Sequence, residues 1–137
     1  MVNIPVSIGE LIDKLSILHI KKTKIYNNEK LEFINKEFEL LYNFSSIYLD
    51  DNKISSLYVK LIGINLKLWE IEDELRILEK RKSFNVDFIE LARKVYHIKD
   101  EKFSLKNRIN ELTDYEIREQ KKHVDINNVF INKININ

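Results

Sequence analysis

Apolar residues return every three or four positions along most of this chain, the period of one face of a helix. The longest unbroken run lies in the middle. Ile54, Leu57, Leu61, Ile64, Leu68, Ile71, Leu75 and Leu78 alternate steps of three and four without an error. Such a heptad seam predicts a helix from about Lys53 to Lys80, about 42 Å long at the usual rise per residue. A second run repeats the alternation through Phe88, Leu91, Val95, Ile98, Lys102, Leu105, Ile109 and Leu112, with Lys102 as its one charged member. Two seams joined by a few residues fold back on each other as an antiparallel hairpin. Setting Leu78 against Phe88 brings Ile71 opposite Val95 and Ile64 opposite Lys102.

The rest of the chain carries start and stop signals around shorter amphipathic runs. Ser7-Ile8-Gly9-Glu10 reads as a capping box, with Val6 and Leu11 at the staple positions. Ile8, Leu11, Ile12, Leu15 and Leu18 then predict a first helix ending near Ile25, broken by Asn27 and Asn28. Leu31, Ile34, Phe38 and Leu41 predict a second, from about Glu29 to Ser45, punctuated by Asp50-Asp51-Asn52. Asn85 is placed to cap the fourth helix, with Phe84 and Ile89 as its staple. Thr113-Asp114-Tyr115-Glu116 is a second capping box and predicts a turn followed by a short fifth helix to about Lys122. Residues 123–137 lack a helical period and are expected to form an extended or poorly ordered tail after a single helical domain over 1–122. The expected fold is therefore all-α: an antiparallel helical bundle with a long third/fourth helix hairpin and the first two helices stacked on it. Extra apolar stripes on the long helices leave a homo-oligomer or a protein partner open.

Composition narrows the function classes. Two Gly and one Pro leave little room for β-turns. The 23 basic and 22 acidic residues give a net charge of +1, without the basic excess of a nucleic-acid binder. Cysteine is absent, so disulfides and thiolate metal sites are excluded, and the chain suits a reducing compartment. No apolar run reaches the roughly 20 residues of a membrane span, and the first residues have no leader pattern, so a cytoplasmic location is expected. His19, His97 and His123 share no metal-ligand spacing with carboxylates. No phosphate loop, nucleophile elbow or HExxH-type helix is present, and no cofactor is expected.

Polar residues beside the seams are the candidate chemistry. On the third helix Asn65, Trp69, Glu72, Arg76 and Glu79 form a second stripe, with Asp73 next to it. On the fourth, Arg93, Tyr96 and Asp100 flank the seam. The hairpin register puts Asp73 near Arg93 and Glu90 near Arg76, pairs in which a guanidinium fork matches a carboxylate. Such pairs fix register in helix hairpins. The alternative is a polar groove in which Trp69, Glu72, Asp73, Arg76, Arg93 and Tyr96 hold a small molecule. Lys102 either snorkels to water or is buried, paired in the neighbourhood of Asp100 or Glu101 or facing a cavity. The first helix faintly resembles the leading helix of helical chorismate mutases. It lacks the Arg that such enzymes need for a dicarboxylate, and that match is set aside.

A broader resemblance rests on Pro5-Val6-Ser7, Glu10-Leu11, Asp13-Lys14-Leu15, Leu68-Trp69-Glu70-Ile71-Glu72-Asp73, Arg76, Phe88-Ile89, Leu91-Ala92-Arg93 and Val95-Tyr96. Over roughly residues 2–122 the chain resembles an uncharacterised family of short helical bacterial and phage proteins, a domain of unknown function. Where this chain reads Lys99-Asp100-Glu101-Lys102, the family pattern has Asn-Asp-Lys-Arg. The resemblance implies no reaction, and it implies a setting beside surface-polysaccharide biosynthesis. The resulting expectation is a non-enzymatic helical interaction or accessory protein, with a small-molecule-binding enzyme as the alternative.

Overall fold

The computed structural model describes residues 1–120, with side chains described through Thr113. Four helices follow in order: α1 (Ile8–Lys24), α2 (Asn28–Leu49), α3 (Asn52–Lys80) and α4 (Val86–Gln120). The all-α bundle with a long α3/α4 hairpin is the observed architecture. The tail expected over 123–137 lies outside the described residues.

Most boundaries follow the capping chemistry. Ser7 accepts from the Glu10 amide at 3.1 Å, Asn27 from Lys30 at 3.1 Å, and Asp51 from Lys53 at 2.7 Å. Asn85 accepts from Asp87 and Phe88 at 3.1 and 3.3 Å and so caps α4 as expected. Phe84 and Ile89 are both about half exposed, and the Phe84 ring meets Phe88 edge-on, 5.2 Å between centroids. α2 runs four residues past the expected Ser45. The Ser45 hydroxyl is buried and donates back to the Leu41 carbonyl at 2.6 Å, so this polar residue sits inside the helix instead of ending it.

Two expectations are corrected. The Thr113 box does not start a fifth helix: α4 continues through it to Gln120. The Thr113 hydroxyl, buried in the base, donates to the carbonyls of Ile109 and Asn110 at 3.0 and 3.1 Å, which suits a helix interior rather than a cap. At the other hairpin end, α3 closes with paired bonds from Ser83 N–H to the Leu78 carbonyl (2.9 Å) and from Lys82 N–H to the Glu79 carbonyl (3.0 Å). That closure needs a left-handed residue, and Lys82 supplies it at φ 52°, where glycine is usual.

α1 is the hub, packing against all three other helices, while α2 rests on α1 and α3. The α1 contacts fall at the open end of the hairpin. Ile12 of α1, Leu61 of α3 and Ile109 of α4 form a fully buried core cluster, covered by Ile8, Leu49, Leu57, Tyr58 and Leu105. Each fully buried Ile or Leu contributes about 1.5–3 kcal/mol by leaving water. Beyond Leu68 the hairpin continues without α1. From Trp69 to Ile98 no residue is buried, although the seam pattern is unchanged. The hairpin therefore has a covered base and a two-helix arm.

Candidate functional site

All six residues singled out from the sequence lie on the arm. Trp69 and Glu72 are half-buried, and Asp73, Arg76, Arg93 and Tyr96 are exposed, Tyr96 at 75%. The structure does not make the expected Asp73–Arg93 pair. Asp73 instead faces Arg76 one turn along its own helix, 3.9 Å between Oδ1 and Nη1. Among the described residues, Arg93 takes part in no ion pair and no ring contact joins Trp69 to Tyr96. The register itself agrees with the seam pairing: a shallow groove is bounded by Ile64 of α3 together with Glu101 and Leu105 of α4. With no third helix over the arm, long side chains there point to water, and a same-helix partner is nearer than one across the pair.

The concentrated polar chemistry lies in the base, where α1 crosses α3 and α4. Asp13 is 3% exposed, and both of its carboxylate oxygens are engaged. Oδ1 accepts from Asn65 Nδ2 at 2.8 Å, while Oδ2 lies 3.1 Å from Lys102 Nζ and 3.8 Å from Lys106 Nζ. Asn65 Nδ2 also donates to Ser16 Oγ at 2.7 Å, and Ser16 Oγ donates to the Asp13 carbonyl at 2.6 Å. Lys106 pairs further with Glu10 at the cluster's outer edge. Asn110 then accepts from the Gly9 amide at 2.7 Å.

Local sequence explains this placement. Gly9, Asp13, Ser16 and Ile20 follow each other by four, three and four, so they line a second face of α1, and all four are buried. A side chain at position 9 would force the backbones apart: a Cβ there would lie 2.5 Å from the Lys106 carbonyl oxygen. Lys102, the charged member of the α4 seam, is the residue that meets Asp13. Its partner is therefore on α1, not the neighbouring Asp100. Glu10, expected to reach back to its own cap, is directed to Lys106.

Two carboxylates and two ammonium groups balance in this cluster, and the Asp13 oxygens, the Ser16 hydroxyl and both Asn65 N–H groups have partners within it. A base or nucleophile needs a free lone pair beside a space for substrate. Asp13 and Ser16 are buried, at 3% and 0% exposure, and their contacts are with each other and with Asn65 and the lysines. The physical effect of the cluster is to join α1, α3 and α4 at one point. Nearby, Tyr58 is half-buried and meets His19 edge-on. Burial, with a smaller contribution from Tyr42, pushes its phenol up to about 12. Among the described residues no group of His, Asp or Glu could hold a metal, and no helix is long and apolar enough to cross a membrane.

A third feature was not singled out from the sequence. On α2, Phe33, Leu40, Phe44 and Ile47 share one face at steps of seven, four and three, and they are 73, 46, 63 and 73% exposed. The opposite face of α2, through Ile34 and Ser45, is the one that packs inward.

The chain matches the model of a family of unknown function (DUF6165) over residues 2–131, and it belongs to that family. No curated protein and no solved structure matches it.

Proposed function

We propose that this chain is a non-enzymatic helical interaction protein that presents the outer face of α2 to another protein. The observation that carries the reading is the Phe33–Leu40–Phe44–Ile47 stripe. Four large apolar side chains in line on one helix face are left in water, on a chain that buries others fully in the base. Contiguous exposed apolar patches on soluble proteins commonly mark interaction sites. The Asp13 cluster supports the same reading, since its buried groups bond one another and join α1, α3 and α4. A setting beside surface-polysaccharide biosynthesis or in a phage is what the family resemblance suggests, and a cytoplasmic location is what the sequence pattern suggests.

Affinity capture with the wild-type chain, beside a Phe33→Glu/Phe44→Glu variant, tests the proposal. One or a few proteins, or further copies of the chain, should be retained in stoichiometric amount by the wild type and lost from the variant. Equal retention by both would refute it. An anionic metabolite that raises the melting temperature of the wild type but not of Arg93→Ala would instead favour small-molecule binding on the arm through Trp69, Glu72, Asp73, Arg76, Arg93 and Tyr96.

A further inference from the structure

We infer that the occupant of the α2 stripe is a second copy of this chain, its α2 packed antiparallel on the first about a two-fold axis passing beside Leu40. The inference rests on the reading of α2 as an interaction face and adds the identity of the partner. Its main support is the symmetry of the pattern. Phe33 and Ile47 lie seven residues on either side of Leu40, Lys36 and Phe44 four, and Glu37 and Asn43 three. An antiparallel pair centred on Leu40 therefore sets ring against aliphatic, ammonium against ring and amide against carboxylate. A two-fold interface requires this kind of self-complementarity, and a cation over an aromatic face is attractive.

The alternatives fare worse on charge. A parallel pair in register would bring Lys36 to Lys36 and Glu37 to Glu37, and like charges facing each other cost affinity. A lipid surface is met by helices whose polar face is rich in Lys and Arg. The flanks of this stripe carry Glu29, Glu32, Glu37 and Glu39 against Lys30 and Lys36. Lys36 is already balanced by Glu32 at 3.4 Å and Glu37 by Lys14 at 3.5 Å, so the flanks bring little repulsion to a neutral partner. Area is sufficient as well. An aromatic side chain presents roughly 150–250 Å². The four stripe residues at their observed exposure thus offer on the order of 500 Å² per copy, and their flanks bring the pair near the ~600 Å² a side at which specific interfaces begin.

The chain has no cysteine, which makes the axis directly testable. Light scattering after gel filtration, at micromolar concentration, should give twice the 16.5 kDa chain mass for the wild type and the single-chain mass for Phe44→Glu. Circular dichroism of Phe44→Glu should keep its helical signal, because Phe44 is exposed. Leu40→Cys should form a disulfide-linked dimer on mild oxidation, whereas Val59→Cys, exposed on α3, should not. A monomeric wild type, a Phe44→Glu variant that remains dimeric, or cross-linking at 59 in place of 40 would overturn the inference. A monomeric wild type that still captures another protein through the stripe would remove the second copy alone. A monomeric wild type with no stripe-dependent capture would remove the interaction reading too. Phe44-dependent sedimentation of the monomer with neutral or anionic lipid vesicles would replace the second copy with a membrane.

Discussion

In the base of the hairpin, Leu61, Ile64 and Ile109 are buried because α1 lies over them. In the arm, Ile71, Leu75, Leu91 and Val95 occupy the same seam and remain half-exposed, because only one other helix is there to cover them. The charges divide the same way. Asp13 sits in the base with every oxygen engaged, and Asp73 sits in the arm facing a solvent-exposed Arg76. A heptad alternation thus encodes which helices pair. How deeply a residue is buried, and what a charge there contributes, depends on a third helix that the seam does not mention.

The widest separation between the two regions should come from removing one carboxylate from each. Asp13→Ala leaves Lys102 and Asn65 without their shared acceptor in the interior, and about 3–5 kcal/mol of stability should be lost in denaturant unfolding. A loss under 1 kcal/mol would mean the lysines escape to water and the base is no tighter than the arm. Gly9→Ala drives a methyl into the α4 backbone at Lys106 and should cost about 1–3 kcal/mol. Gly63→Ala meets no atom within 4 Å and should be neutral or mildly stabilising through its helix propensity.

The base should also be the alkaline-sensitive region. A tyrosine in the unfolded chain ionises at 10.0, and folded Tyr58 holds its proton to about 12. Between those values the unfolded state has lost a proton that the folded state keeps. Stability present below pH 10 should therefore fall as pH rises toward 12. Tyr58→Phe should flatten that fall in melting temperature, and an unchanged slope would assign it to other groups.

The arm should respond weakly. Lys82→Gly relieves a left-handed residue and should raise stability by about 0.5–1 kcal/mol. Asp73→Asn should change it by no more than about 0.5 kcal/mol, the scale of a surface pair within one helix. A larger loss on chemical denaturation would show that the arm is held by contacts absent from the single chain.

Much of this was legible from local signals. The seams, the break at Asn27, the Asp51 and Asn85 caps and the hairpin register depend on residues within a turn or two, or on one period shared by two helices. The cluster was less legible, because Asp13 and Lys102 are joined only by the way α1 crosses the hairpin. Two traces of it were present: a lone Lys on an otherwise apolar seam, and the 4-3-4 line Gly9, Asp13, Ser16, Ile20. The arm residues drew notice because Trp, Arg and Tyr look like a binding set, but exposure cannot be read from residue type. Ser45 and Thr113 misled for a related reason. Each resembles a helix terminus in sequence, and each is buried where its hydroxyl can bond only its own helix.

The bond from Gly9 to Asn110 spans 101 positions of the chain. The cluster is completed from three helices, Asp13 on α1, Asn65 on α3 and Lys102, Lys106 and Asn110 on α4. Local contacts let α3 and α4 zip together rapidly from their shared loop, whereas closing the base must bring distant segments together and is slower. The base therefore closes only when Lys102, Lys106 and Asn110 of α4 reach α1, the step that joins the most distant parts of the sequence.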